Sequence, residues 1–139
     1  MIDQLFEFAQ NHLLLVSAFI VLLVAWLAFE AKRGNTGVTS GEATALVNRE
    51  DGIIVDIREA KEFKAGHIAG ALNIPNGKLE TRMSELQKHQ DKPVIVVCKT
   101  GQSAGAAVEK LKKAGYSRAT KLKGGMAQWQ ADSLPTVKR

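Results

Sequence analysis

The chain has 139 residues, 45% of them apolar, and carries 19 Lys+Arg against 14 Asp+Glu for a net charge of +5. One cysteine cannot form an internal disulfide, and 3 prolines with apolar residues in short blocks exclude collagen, coiled coil and low-complexity disorder. The charge is uneven: residues 94–139 hold nine basic and two acidic side chains, yet the chain has only eight aromatics and no Arg-rich run between them. That basic half suits lipid headgroups or small anions, and no nucleic-acid partner is expected.

Residues 13–29 contain no charge. As a helix they are roughly 26 Å long, just short of a hydrocarbon core of about 30 Å. Trp26 near one end suits an interfacial anchor. A cleavable signal peptide needs a basic start and a small residue at its cleavage site. This chain has Asp3 and Glu7 at the start, and Glu30 where the small residue belongs. A soluble core helix or a surface-lying helix would be amphipathic, whereas this run is apolar all round. Lys32 and Arg33 flank only its C-terminal end, so the positive-inside rule places the C-terminal domain in the cytoplasm, where a lone thiol stays reduced. The expected organisation is a membrane anchor over residues 1–33 (span 13–29), a tether over 34–38, a domain over 39–135 and a tail over 136–139.

Thr39-Ser40-Gly41-Glu42 has the capping-box pattern and predicts a helix to about Glu50. The β-branched run 53–57 predicts a buried strand, and residues 59–64 a short helix stopped near Gly66. Residues 71–75 predict a second strand, followed by a turn at Asn76-Gly77. Leu79, Met83 and Leu86 are spaced for one face of a helix, and residues 94–98 are the clearest strand in the chain. A helix over 104–114 with Gly115 as its C-cap, a strand over 119–122 and a helix over 126–131 complete the pattern. Strands alternating with helices predict an α/β fold, a parallel sheet flanked by helices, preceded by one N-terminal transmembrane helix.

Ligands in such sheets bind beyond the carboxyl ends of the strands, and Cys98 lies at one of them. The residues after it, Lys99, Thr100, Gly101, Gln102 and Ser103, are short or polar and lead into a helix. Amides turned inward there, beside the positive end of a helix dipole, form a nest for an anion and favour a thiolate; Lys99 adds positive charge. A free cysteine is otherwise usually a small buried hydrophobe, but a strand end before a glycine turn favours the nucleophile. One Cys and three scattered His offer no metal-ligand spacing, and Ser103 lacks an elbow sequence for a serine triad.

Residues from about 37 to 134 resemble a single-domain rhodanese, a sulfurtransferase module. Asp56-Ile57-Arg58 resembles the family's strand-end Asp-x-Arg, and the stretch from Glu62 through Gly66-His67-Ile68 to Asn73-Ile74-Pro75 its most recognisable segment. The six residues from Cys98 to Ser103 have the length of its active-site loop, and Gly124-Gly125-Met126 to Trp129 is similar to its closing motif. The resemblance implies that Cys98 takes a sulfur from a small anionic donor such as thiosulfate. The resulting persulfide passes it to a thiol or protein acceptor, with no metal or organic cofactor. Lys99, Thr100, Gly101, Gln102, Ser103 and Arg58 would bind substrate; Asp56 and Arg58 shape the pocket or, alternatively, form a structural ion pair. His67 is expected to fix its loop, Trp129 to sit in the core, and the C-terminal lysines to form a solvated face. Many members carry Arg where this chain has Ser103, which weakens the case for a dianionic donor. Resemblance to membrane-anchored bacterial members places the protein in the inner membrane. The rival functions are a membrane-anchored binding module with little turnover and a cysteine phosphatase. The phosphatase would need an Arg where Ala104 stands.

Overall fold

Strands β1 (Ile53–Asp56), β2 (Leu72–Asn73), β3 (Val94–Val97) and β4 (Ala119–Lys121) pair in parallel in the order β2-β1-β3-β4. The computed structural model describes residues 1–34 and 36–138; Asn35 of the expected tether and Arg139 of the expected tail lie outside it. The chain forms two compact units, Met1–Asn35 and Thr36–Arg139.

In the first unit α1 (Ile2–Asn11) and α2 (Leu13–Gly34) are separated at His12, whose φ of −125° and ψ of 42° interrupt the helix. The 22 residues of α2 make a rod of about 33 Å. This exceeds the uncharged run, because the helix continues through Lys32, and it is long and apolar enough to cross a membrane.

The second unit is a three-layer α/β fold. β3 reads Val-Ile-Val-Val because helices cover both sheet faces and every position is buried. Val94 and Val96, with Val55 of β1, pack under α6 (Gln102–Lys113), where Ala104, Ala107 and Leu111 are fully buried. Ile95 and Val97, with Ile54, pack on the opposite side against Ala43 of α3 (Ser40–Glu50) and Met126 and Trp129 of α7 (Gly125–Ala131). The capping box of α3 is closed in both directions: Glu42 N–H donates to Thr39 Oγ1 at 3.2 Å, and Thr39 N–H to the Glu42 carboxylate at 2.7 Å. The bond from the Thr39 backbone holds the Glu42 carboxyl below its ordinary value.

Two expected elements differ, and residues at both ends of the domain make backbone bonds to it. Gly34 is the last residue of α2, and Val38 pairs with the domain, its N–H donating to Lys121 O at 2.8 Å and its carbonyl accepting Lys123 N–H at 2.9 Å. A residue of the expected tail pairs as well. Val137 exchanges both backbone bonds with His67, at 2.9 and 2.8 Å, because His67 is buried and its main chain needs partners. Leu79, Met83 and Leu86 do share one core face, but on a short α5 (Leu79–Arg82) followed by a 3₁₀ segment, Met83–His89. The three-residue step from Met83 to Leu86 matches the tighter period. Finally, α6 starts at Gln102, two residues early, after Gly101 turns the chain with a φ of +93°.

Candidate active site

The strand order places β1 beside β3, with the chain leaving their carboxyl ends in opposite directions, and a crevice opens at such a point. Asp56 pairs with Val97 in register, so Arg58 and Cys98, just beyond them, emerge from adjacent strands.

Cys98 continues the alternation of Val94 and Val96 and faces the α6 side, where it is 5% exposed. Its Sγ accepts a hydrogen bond from Gly101 N–H at 2.9 Å. Of the ring of amides expected around the sulfur, that of Gly101 is the one hydrogen-bonded to it among the described residues. Lys99 and Thr100 are exposed in the loop, Gly101 is buried, and Gln102 and Ser103 are exposed in the first turn of α6. The early helix start moves Ser103 out of the loop, yet amides of a first turn have no partners within their own helix.

The loop is also held from α7, a contact that sequence pattern alone does not reveal. Met126 N–H donates to Cys98 O at 2.8 Å and Ala127 N–H to Lys99 O at 3.0 Å. This close approach requires Gly125 (φ +58°): a Cβ there would run into the Cys98 carbonyl and lie 2.9 Å from Gly101 N. The Gly124-Gly125 pair before a helix was the available signal.

Arg58 is an ion pair first. Its Nη2 lies 2.7 Å from Asp56 Oδ2, Nε donates to both carboxylate oxygens at 3.0 and 3.1 Å, and Nη2 also donates to Gly66 O at 2.8 Å. Asn73 Nδ2 staples the same turn, donating to Asp56 O and Arg58 O at 3.0 and 2.9 Å. Asp56 is 1% exposed, so removing that partner would leave a buried carboxylate unpaired. Arg58→Lys keeps the charge but loses the two-armed fit; the expected cost is about 1–2 kcal/mol, measured by denaturant unfolding. His67 holds its own segment: its ring stacks on Phe63 with centroids 3.7 Å apart, and Nδ1 lies 2.7 Å from Phe63 O, which makes Nδ1 the protonated nitrogen. Trp129 is buried and donates Nε1–H to Pro135 O at 3.1 Å.

A cavity of about 280 Å³ opens beside the cysteine loop, lined by Arg58, Glu62 and Ala65 with Lys99, Met126, Ala127 and Gln130. A larger hollow of about 360 Å³ lies near Glu80 and Lys110, and Cys98 itself lines neither cavity. No cluster of three potential metal ligands occurs among the described residues.

A parallel α/β sheet with a lone cysteine at a strand end, seated in a short loop over a helix start, defines a rhodanese-like domain. The rhodanese-like domain family model matches residues 39–132, and the chain belongs to that family. It is 40% identical to the uncharacterized protein YibN of Escherichia coli K12, over 98% of each chain. It is 31% identical to the thiosulfate sulfurtransferase GlpE of Pseudoalteromonas translucida, covering 73% of this chain and 95% of that one. The crystal structure of a rhodanese-related protein from Thermoplasma volcanium aligns with a TM-score of 0.67 at 27% identity, over 74% of this chain and 98% of that chain.

Proposed function

We propose that the protein is a membrane-anchored sulfurtransferase working through a persulfide on Cys98. The observation that carries this reading is the 2.9 Å hydrogen bond from Gly101 N–H to Cys98 Sγ, a fixed donor aimed at the atom that would bear negative charge. The Cys98 thiolate attacks the outer sulfur of a donor such as thiosulfate. A Cys98–sulfur bond forms, the donor's S–S bond breaks, and sulfite leaves with the electron pair. An acceptor nucleophile then attacks the outer sulfur and Cys98 leaves as thiolate. Lys99, the exposed side chains of Thr100, Gln102 and Ser103, and the amides at the start of α6 receive the donor's anionic end. Arg58, bound to Asp56, mainly sets the wall of the cavity. The residues present complete this cycle without a cofactor.

The full chain in detergent should form thiocyanate from cyanide with thiosulfate or a persulfide donor. Only background with every donor would leave a binding module as the better reading. A sulfurtransferase-named relative, the GlpE protein, supports the enzymatic one.

The same reading puts α2 across the bacterial inner membrane, with Lys32 after the apolar run on the cytoplasmic side and the domain in the cytoplasm. The chain is expected to stay with the membrane pellet after alkaline carbonate extraction; release into the supernatant would contradict a span.

A further inference from the structure

The short helix α1 carries an open apolar face. At 3.6 residues per turn, Ile2, Leu5, Phe6, Phe8 and Ala9 fall within about 160° of its circumference, and Asp3, Glu7 and Gln10 take the other side. No residue of α1 is buried, and Ile2, Leu5, Phe6 and Phe8 are each more than half exposed. The neighbouring α2 is different, being apolar all round over its span-length segment, Leu13–Lys32. Those 20 residues rise about 30 Å, the full thickness of a hydrocarbon core. That thickness is already filled where α1 begins, so α1 sits at the mouth of the span.

Continued straight into water, α1 would leave four large apolar side chains wet, against the hydrophobic effect. Pushed into the core, it would carry Asp3 and Glu7 into hydrocarbon. Laid along the boundary between headgroups and acyl chains, it buries one face and wets the other. The break at His12 permits this third course. Its φ of −125° and ψ of 42° end the helical run, yet its N–H donates to Phe8 O and its carbonyl accepts Val16 N–H, both at 3.0 Å. The corner therefore leaves neither backbone group open at the membrane edge. With two acids and no Lys or Arg, α1 has no electrostatic attraction to anionic lipid, and its contact is with acyl chains and neutral headgroups.

We propose that α1 lies in the headgroup boundary of the non-cytoplasmic leaflet of the membrane that α2 spans, its apolar face on the acyl chains of zwitterionic lipid. This rests on the reading of α2 as a span. A foot of this kind keeps α2 from slipping toward the cytoplasm.

The test uses the full chain in phosphatidylcholine vesicles, with Cys98→Ser removing the native thiol and one spin label attached at a time. Ile2→Cys, Leu5→Cys and Ala9→Cys report the apolar face, Asp3→Cys, Glu7→Cys and Gln10→Cys the polar face, and Leu22→Cys the middle of α2. Collisions with oxygen mark lipid, and collisions with a water-soluble nickel chelate mark water. The three labels on the apolar face should favour oxygen and lie at one depth, and the three on the polar face should favour nickel. A depth that changes by about 10 Å between positions 2 and 9, the rise of seven residues, would mean that α1 continues the span and would overturn the proposal. Nickel access on both faces would overturn it by placing α1 in water. Apolar-face labels closed to both reagents would overturn it by showing a second copy of the chain on that face. A label at position 22 open to nickel removes the span itself, and the proposal with it.

Discussion

Cys98→Ser should lower thiocyanate formation by at least about 1000-fold, because a hydroxyl in that position forms no persulfide. The fold should survive the change. The side chain is 5% exposed and packs among Val96 and Ala104, and oxygen in place of sulfur is smaller and still able to accept the Gly101 N–H. A shift in melting temperature of about 5 °C or less is expected for a change of this size. Assay and thermal unfolding on the same preparation separate the two effects. Substantial turnover by the serine variant would place the chemistry elsewhere.

Gly125→Ala is the second large effect, and it acts through the backbone. The residue sits at φ +58°, where an added Cβ is strained, and that Cβ would collide with Cys98 O while lying 2.9 Å from both Gly101 N and Lys99 C. These atoms belong to the loop that presents the sulfur, so relief requires the loop or the start of α7 to move. The bonds from Met126 and Ala127 that pin the Cys98 and Lys99 carbonyls at 2.8 and 3.0 Å would lengthen with it. A stability loss of about 2–3 kcal/mol is expected from strain plus lost bonds. Misplacing a reacting atom by about 1 Å costs on the order of 100-fold in rate, so turnover should fall by at least that factor. Gly70→Ala provides the control: its φ of +80° gives comparable strain, but a Cβ there meets nothing within 4 Å. It should cost stability and spare the rate.

Local pattern made much of the domain readable. The run 94–98 announces a strand buried on both faces, and a cysteine at its end before a glycine and a helix former announces the loop. The capping box of α3 and the helix–strand alternation are equally local signals. What lay hidden depends on long-range contact. Nothing around Met126 says that its amide will hold the carbonyl of Cys98, and Val137 gives no periodic hint that it pairs with His67. Glu62 reads as one more exposed acid on a short helix until the fold places it on the same cavity as Lys99. The start of α6 differs from the expected Ala104 for another reason. Gly101 takes up a positive φ and completes the turn alone, so Gln102 and Ser103 join the helix.

The most direct measurement is intact-mass and peptide-level mass spectrometry of the full chain after incubation with a sulfur donor and removal of the excess. A single added sulfur is expected, confined to the peptide containing Cys98 and discharged by cyanide. An unmodified Cys98 after exposure to both thiosulfate and a persulfide donor would contradict persulfide chemistry at this site.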